Sequence, residues 1–190
     1  FYDLTRKHYL FGRDTALATL AEDLRWRTLV EVGPGTGRNV RELARRCVGH
    51  RSGLRLGGIE ASDAMLEHAR ERLPGVPLLH GFAETAPYRE VFGTAPDRIL
   101  FSYCLSMVEG REEALAHARR SLAPGGEVVV VDFADLAGLP RPLAAALRRW
   151  LAAFRVTPLD PAWLAAQGAR VELGPGRYYV IARCGPAAVA

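Results

Sequence analysis

A glycine-rich turn that directly follows an acidic strand carries the clearest chemistry in this sequence. Glu31 lies in the apolar segment Thr28–Val32, which leads into Gly33-Pro34-Gly35-Thr36-Gly37. Glycine has no Cβ and tolerates positive φ, so such a turn lets a small polar ligand lie directly against the backbone. The helix predicted to start at Arg38 points its N-terminal N–H groups at the same ligand. The acid at the strand end favours a ligand that carries positive charge.

The spacing of the glycines separates two classes of ligand. Dinucleotide-binding turns of nicotinamide and flavin enzymes read Gly-x-Gly-x-x-Gly, and their third glycine permits close packing of helix on strand. Arg38 stands at that third position here, and the last glycine of the turn is Gly37. The layout, with Glu31 just ahead of the turn, resembles motif I of class I S-adenosylmethionine (SAM) methyltransferases. The resemblance implies SAM as cofactor and S-adenosylhomocysteine as product, because a carboxylate complements the sulfonium and ammonium of SAM but not a pyrophosphate.

Glu60 ends the second predicted strand, just before Ala61 and Ser62, and it suits a nucleoside sugar. A carboxylate offers two acceptor oxygens, so it can accept hydrogen bonds from both ribose hydroxyls. An acid at this position of a doubly wound sheet meets that geometric need. The alternative is a solvated carboxylate at a strand end.

The adenine of such a cofactor needs its own contacts, and the sequence offers several. Met65, one turn into the next predicted helix, either flanks the adenine or packs in the core. Methyltransferases often carry Gly-Asp-Ala after the third strand, with the acid on the adenine amino group. Here Phe82 occupies the place of the acid, in His80-Gly81-Phe82-Ala83-Glu84. We therefore expect the backbone of Ala83 to serve the adenine, with Phe82 either beside it or in the core and Glu84 as a more distant acid.

The fourth predicted strand leads into residues placed for the acceptor. The carboxyl end of this strand faces the ligand crevice of a doubly wound sheet. Ser102 and Tyr103 are therefore expected near the methionine part of SAM and near the acceptor. A tyrosine at this point can offer its ring face to a cation. The alternative is an aromatic side chain that caps the sheet.

The N-terminal segment Tyr2–Asp14 is dense in aromatic and charged residues. Together with Phe101–Met107, Leu122–Gly126 and Val131–Phe133, it resembles a bacterial family of small SAM-dependent N-methyltransferases. The best-described members of that family trimethylate diacylglyceryl-homoserine to a betaine lipid. The resemblance implies that the N-terminal segment folds over the cofactor and the acceptor.

On this resemblance, three tyrosines line the acceptor pocket and stabilise a growing quaternary ammonium by cation–π contact: Tyr2, Tyr9 and Tyr103. Arg6 is expected to pair with a carboxylate of SAM or of a homoserine head group. Arg13 and Ser106 are the predicted substrate-binding residues. The predicted cofactor-binding residues are Arg6, Glu31, Gly33, Pro34, Gly35, Gly37, Asn39, Glu60, Ala61, Met65, Phe82, Ala83, Glu84, Ser102 and Tyr103.

The elements that must position these residues follow from periodicity. The predicted strands are Thr28–Val32, Leu54–Glu60, Val76–His80, Asp97–Tyr103, Glu127–Phe133, Arg170–Leu173 and Arg177–Arg183. The predicted helices are Arg38–Cys47, Ser62–Leu73, Arg111–Leu122 and Arg141–Phe154. This alternation predicts an α/β, Rossmann-like class I methyltransferase fold with a seven-stranded, mostly parallel sheet and helices on both faces. Gly174-Pro175-Gly176 predicts an antiparallel C-terminal hairpin. We expect one domain, 1–190, with a helical cap at 1–27 and a core at 28–190.

Composition limits the partners. The net charge is +4, but the arginines are spread along the chain and form no nucleic-acid stripe. Cys47, Cys104 and Cys184 show no metal-ligand spacing, so no metal is predicted. No apolar run reaches about 18 residues, and no signal peptide is visible. A cytoplasmic protein is predicted, with peripheral contact at the inner membrane face as an open alternative. The chain starts at Phe1, so we expect its true N-terminus to lie upstream.

One helix leaves two interpretations open. The predicted helix Arg141–Phe154 carries Leu143, Leu147, Trp150, Leu151 and Phe154 on one face. Such a stripe usually packs on a sheet, and the alternative is a helix at a membrane interface.

The functional hypothesis is an in-line transfer of the SAM methyl group to a neutral amine, with the homoserine head group of a betaine-lipid precursor as a candidate acceptor. Alignment of the reactants and exclusion of water would supply the catalysis. Two alternatives stay open: a methyltransferase for a soluble small molecule, acting on nitrogen, oxygen or carbon, and a SAM-binding accessory protein without turnover. The sequence does not specify an oligomeric state.

Overall fold

The computed structural model describes residues 10–48 and 52–187. One sheet contains all seven described strands, in the order β3-β2-β1-β4-β5-β7-β6. The strands are β1 Thr28–Val32, β2 Arg55–Glu60, β3 Leu78–His80, β4 Arg98–Ser102, β5 Glu127–Phe133, β6 Arg170–Leu173 and β7 Tyr179–Cys184. Strands β1 to β5 run parallel, and β7 is antiparallel to both β5 and β6. The predicted architecture, including the C-terminal hairpin, is confirmed.

Helices cover both faces of the sheet. They are α1 Arg13–Glu22, α2 Arg38–Cys47, α3 Asp63–Arg72, α4 Arg111–Ser121, α5 Arg141–Ala152 and α6 Pro161–Ala166. Alternate residues of each central strand point to opposite faces. In β1, Val30 packs in one buried cluster with Leu115 of α4, whereas Leu29 packs in another with Leu17 of α1 and Leu43 of α2. Because both faces of the sheet are buried, the sequences of these strands are continuous apolar runs.

The predicted boundaries hold closely, and one helix was missed. The bounds of β1, β5, β6 and α2 agree with the prediction, and the other predicted elements differ by at most two residues at either end. Helix α6 was not predicted because it is short. Its start nevertheless has a recognisable signal, since the Asp160 side chain accepts a hydrogen bond from the N–H of Ala162 at 2.8 Å and Pro161 occupies the first turn. Within the predicted N-terminal cap, residues 1–27, the structure describes helix α1. The assignment of the chain to a single domain stays a prediction.

The sheet order creates a crevice between β1 and β4. The chain runs from β1 outward through β2 and β3, then returns to place β4 on the other side of β1. The loops that leave β1 and β4 therefore diverge at the carboxyl edge of the sheet, where doubly wound folds bind ligands. This arrangement brings the turn after Glu31 next to the residues that follow Ser102.

The last glycine of the turn is needed for packing. Gly37 has φ 72°, and a Cβ built there would lie 2.5 Å from Cδ1 of Leu73, at the end of α3. We expect Gly37→Ala to lower the free energy of unfolding by about 2–4 kcal/mol, from backbone strain and overpacking together. Gly75→Ala is the matched control, because Gly75 has φ 80° but nothing within 4 Å of its ideal Cβ. Denaturant unfolding should show the larger loss for Gly37→Ala, and equal losses would contradict the packing role.

Candidate functional site

A cavity of about 620 Å³ opens at the carboxyl edge of the sheet, beside β1, β2 and β4. Its wall comes from the glycine turn, the ends of these strands, the first turns of α1, α2 and α3, and the loop after β3. It is lined by Leu10, Arg13, Glu31, Val32, Gly33, Pro34, Gly35, Thr36, Arg38, Asn39, Ile59, Glu60, Ala61, Ser62, Met65, Gly81, Phe82, Ala83, Glu84, Ser102, Tyr103, Cys104, Met107, Val108 and Glu109. A volume of this size suits a nucleoside-sized ligand.

The carboxylate of Glu60 is fixed against the glycine turn. Glu60 is 8% exposed at the end of β2. Its Oε2 accepts a hydrogen bond from the N–H of Gly35 and its Oε1 from the N–H of Ser62, each at 3.1 Å. Each oxygen can accept a further hydrogen bond. The carboxylate can therefore accept hydrogen bonds from two ligand hydroxyls without losing its contacts to Gly35 and Ser62.

A second carboxylate lies deeper in the cavity wall. Glu31 is 1% exposed, and its Oε1 accepts a hydrogen bond of 2.6 Å from the side-chain amide of Asn39. Its Oε2 has no hydrogen-bond partner among the described residues. Burial raises the pKa of Glu31 to about 7, against the opposing effect of the Asn39 hydrogen bond and of the Arg13 charge. A buried oxygen without a partner in a cavity wall is an acceptor held ready for a ligand donor.

Arg13 supplies the opposite charge in the same cavity. It lies in the first turn of α1 and lines the cavity, and its buried Nε has no hydrogen-bond partner within the described parts of the chain. The neighbouring Arg38 is already paired, through an Nη2–Oδ1 contact of 2.9 Å with Asp14. The open atoms of this cavity thus include an acceptor on Glu31 and a donor on Arg13. Such a pair fits a zwitterion, with its ammonium at the carboxylate and its carboxylate at the guanidinium.

The first glycine of the turn lies against the fourth strand. Gly33 has φ 65°, and a Cβ there would lie 2.8 Å from Sγ of Cys104. The N–H of Gly33 donates to the carbonyl of Ile59 at 2.8 Å. Any larger residue would have to displace either the glycine turn or the Cys104 side chain. Burial raises the pKa of the Cys104 thiol, so this side chain acts as a neutral wall.

Tyr103 holds a strained position in the wall. Its φ is 53°, a left-handed conformation that non-glycine residues seldom adopt and that clusters at functional sites. Three contacts maintain it: the N–H donates to Val131 at 2.8 Å, the hydroxyl donates to the carbonyl of Phe11, and the ring meets Phe133 edge to face at 4.8 Å. Burial raises the pKa of the phenol, so it stays protonated and continues to donate. Tyr103 thereby ties the chain just before α1 to the cavity.

The side predicted for adenine is partly apolar. Met65 lines the cavity, which favours the flanking role over core packing. Phe82 is not in the core: it is 59% exposed and meets His80 edge to face at 5.8 Å. Ala83 is 6% exposed and also lines the cavity. Glu84 lies against Gly110, where a Cβ would be 3.1 Å from its Oε1.

Two predicted site residues lie away from the wall. Gly37 packs on α3 rather than lining the cavity. Ser106 is 2% exposed, and its N–H donates to Oδ2 of Asp132 at 2.9 Å. The reason is local, because the chain after β4 forms a short 3₁₀ turn, Leu105–Met107, that turns Ser106 inward and exposes Met107 instead. Tyr2, Arg6 and Tyr9 lie outside the described residues, and their roles stay predictions.

The other predicted residues are brought together around one cavity, and several further ones were missed. The missed residues are Leu10, Val32, Thr36, Arg38, Ile59, Ser62, Gly81, Cys104, Met107, Val108 and Glu109. Two of them could have been found from their position in the sequence: Arg38, in the first turn of α2, and Cys104, next to Tyr103. Both lie at the carboxyl edge of the sheet, where doubly wound folds bind ligands. Within residues 10–48 and 52–187, no group of three His, Cys, Asp or Glu side chains could hold a metal ion. No helix of this described part is long and apolar enough to cross a membrane.

Comparison with known proteins agrees with this geometry. Residues 30–128 match a family model described as a methyltransferase domain. The chain is 36% identical over 107 residues to the trans-aconitate 2-methyltransferase of Paracidovorax citrulli, a match that covers 56% of this chain and 38% of that protein. It is 32% identical over 148 residues to the ubiquinone/menaquinone biosynthesis C-methyltransferase UbiE of Bordetella avium, covering 76% of this chain and 52% of that protein. The chain thus spans about half or less of these relatives.

One solved structure of a methyltransferase is also similar to this chain. The chain is similar to the SAM-bound amino pentose methyltransferase CalS10 of Micromonospora echinaspora, with a TM-score of 0.56 and 26% identity. That match covers 68% of this chain and 54% of the other.

Proposed function

The chain belongs to the methyltransferase domain family, whose cofactor is SAM, and from that premise we propose that it methylates a small organic acceptor. The observation that carries the proposal is the pairing of two carboxylates with one open guanidinium around a single cavity. Glu60 is fixed against the glycine turn, where we place the ribose, and the open atoms of Glu31 and Arg13 suit the two ends of an amino acid.

The residues of the cavity wall suit the sugar, the methionine part and the adenine of SAM. Glu60 would hold the ribose hydroxyls, and the turn from Gly33 leaves room for a ligand against the backbone. Glu31 and Arg13 would hold the ammonium and the carboxylate of the methionine part. Met65 and Phe82 would contact the adenine. When bound, SAM supplies a methyl group on a sulfonium that a nucleophile displaces in line.

The protein's own contribution is positioning and exclusion of water. Asn39 holds the Glu31 carboxylate in one orientation through its 2.6 Å hydrogen bond. Tyr103 fixes one wall of the cavity through its contact with Phe11. Holding the reactants aligned in this way can account for several kcal/mol of a barrier, about 7–11 in the best model reactions.

The composition of the wall bears on the acceptor. The described residues of the wall include the carboxylates Glu84 and Glu109 but no histidine or lysine. Carboxylates are therefore the general bases that the described wall offers, and a carboxylate is a weak base. We infer an acceptor that needs little help from a base, such as a neutral amine, a carboxylate or an electron-rich carbon. The relatives named for trans-aconitate and for quinone biosynthesis support a small-molecule acceptor over the lipid head group.

The test is methyl transfer from labelled SAM to a panel of acceptors. The panel contains di- and tricarboxylic acids, primary and secondary amines, quinols and diacylglyceryl-homoserine in detergent. We expect label in one soluble acceptor class. Label only in diacylglyceryl-homoserine would restore the betaine-lipid hypothesis, which rests mainly on the N-terminal motif. Binding of SAM without label in any acceptor of a cell extract would favour an accessory protein. A cytoplasmic location is part of the same proposal.

The raised pKa of Glu31 predicts that SAM binds more tightly as the pH rises. A cation binds the ionised carboxylate, and with a pKa of about 7 the ionised fraction increases roughly tenfold between pH 6 and pH 8. The other charged groups around Glu31 are Arg13, Arg38 and Glu60. We expect a roughly tenfold gain in affinity and release of about half a proton per SAM at pH 7. Calorimetry in buffers of different ionisation enthalpy measures both, and a flat profile would contradict this role of Glu31.

A further inference from the structure

The outer face of α5 carries large apolar side chains that are exposed to solvent. Leu143 is 54% exposed, Trp150 41% and Phe154, just past the helix, 55%. The rings of Trp150 and Phe154 meet edge to face at 5.1 Å. These three residues form the α5 ridge. Of the two interpretations left open for this stripe, packing on the sheet describes its inner residues and not the ridge.

The ridge exists because the apolar stripe of α5 is wider than the surface beneath it. Ala144 and Leu151 are buried, and Leu147 packs against the same cluster. Successive residues of a helix are about 100° apart, so the ridge and this buried set occupy adjacent halves of one broad stripe. Burying the inner half leaves the outer half in solvent.

The charged residues of the segment that carries the ridge are all basic. Residues 141–156 contain Arg141, Arg148, Arg149 and Arg155 and no Asp or Glu, and all four arginines are exposed. Arg148 donates to the backbone carbonyl of Asp135 at 2.5 Å. The other three take part in none of the ion pairs that join described side chains. An apolar ridge whose flanking charged residues are all arginines is complementary to a partner with an apolar interior and anionic groups at its boundary with water.

The ridge is anchored to the wall of the cavity. The buried cluster under α5 includes Tyr103 and Phe133, and Leu10, which lines the cavity, packs against it. Phe11 is attached to the same cluster, since its ring meets Tyr178 edge to face at 5.4 Å and is itself exposed, at 54%. Exposed apolar side chains thus surround the cluster that forms one side of the site.

We propose that the α5 ridge docks on the surface of an anionic lipid bilayer. Trp and Phe side chains enter the boundary between head groups and acyl chains, while flanking arginines contact lipid phosphates. Each basic residue near an anionic membrane contributes about 1 kcal/mol, which is roughly fivefold in partitioning. A second copy of the chain fits less well, because a two-fold symmetric contact would oppose the arginines of one copy to those of the other. This docking goes beyond the proposed function and does not depend on the identity of the acceptor.

Vesicle flotation tests the proposal, with vesicles of phosphatidylcholine alone or mixed with phosphatidylglycerol. We expect the protein to float with the anionic vesicles and to dissociate as salt rises. Arg149→Gln with Arg155→Gln should weaken partitioning about 25-fold at low salt. Trp150→Ser with Phe154→Ser should weaken it at least about tenfold. Equal binding to both vesicle types, or no binding to either, would overturn the proposal.

Matched controls separate the ridge from general charge and hydrophobicity. Arg120→Gln removes one exposed charge on α4, and Val48→Ser removes a side chain that is 75% exposed after α2. Both should float like the unmodified protein, and SAM binding by calorimetry should stay unchanged in every variant, which confirms folding. Ridge variants that float normally would overturn the proposal. So would a dimer, seen by light scattering without lipid, that the ridge variants dissociate.

The fluorescence of Trp150 gives a second readout. The chain has three tryptophans, of which Trp26 is fully buried. Anionic vesicles with brominated acyl chains should quench the emission of the protein, and Trp150→Phe should remove most of this quenching while flotation persists. Unchanged quenching in Trp150→Phe would show that the ridge is not at the bilayer.

Discussion

Glu60→Ala is expected to weaken the binding of SAM and S-adenosylhomocysteine at least about 100-fold. The carboxylate joins the turn after β1 to the start of α3 through the N–H groups of Gly35 and Ser62. It is also the group we assign to the ribose hydroxyls. Hydrogen bonds to a charged group contribute about 1.5–3 kcal/mol each, so the loss of two ligand contacts accounts for the expected effect. Calorimetry with the purified protein measures it.

The matched control is Glu84→Ala. Glu84 also lines the cavity and also carries a negative charge, but it lies against Gly110 rather than the glycine turn. We expect this variant to bind S-adenosylhomocysteine within about threefold of the unmodified protein, because we assign Glu84 no hydrogen bond to the sugar. If both variants lost affinity equally, general negative potential would explain binding and the ribose assignment would be wrong.

Glu31→Gln is expected to stabilise the free protein above pH 7 while weakening SAM binding by about 10- to 100-fold. Burial raises the pKa of Glu31 from 4.5 to about 7, so its contribution to stability is fully present below pH 4.5 and is lost as pH rises through 7. The shift corresponds to about 3 kcal/mol at pH 8. Glutamine keeps an acceptor for Asn39 and removes the buried charge. It also removes the partner of the ammonium.

Denaturant unfolding of the free protein at pH 5 and pH 8 measures the stability effect. The gain should be clear at pH 8 and small at pH 5. Glu42→Gln is the control with the opposite expectation, because hydrogen bonds from Arg45 and Arg46 lower the pKa of Glu42 to about 2 and stabilise its charged form. That variant should gain no stability at pH 8. A Glu31→Gln protein that is less stable at pH 8 and still binds SAM would contradict the assignment.

The fold was predictable because the strand, turn and helix signals of each segment all agreed with the same α/β sheet. The strand Thr28–Val32 ends at a glycine turn, and helix α2 begins where the turn places it at Arg38. Glu60 could be placed from sequence alone, because a strand end followed by a Ser62 cap fixes its position at the sheet edge. These are short-range features, so the sequence contains them directly.

The rest depended on packing between distant segments. The hydroxyl of Tyr103 donates to the carbonyl of Phe11 and so joins the chain just before α1 to the edge of the sheet. No local pattern predicts that pairing. Ser106, predicted to bind substrate, lies away from the cavity wall because the short 3₁₀ turn after β4 directs it inward. The sequence shows how wide the apolar stripe of α5 is, but not how much surface is available to cover it, so both interpretations of the stripe stayed open.

The central claim is that this cavity holds a SAM molecule by its sugar at Glu60 and by its amino-acid end at Glu31 and Arg13. A crystal structure with S-adenosylhomocysteine tests it most directly. The account predicts both ribose hydroxyls within hydrogen-bond distance of the Glu60 carboxylate, the ammonium at Oε2 of Glu31 and the carboxylate at the guanidinium of Arg13. Ligand density elsewhere on the molecule, or a nucleoside whose sugar does not contact Glu60, would contradict it.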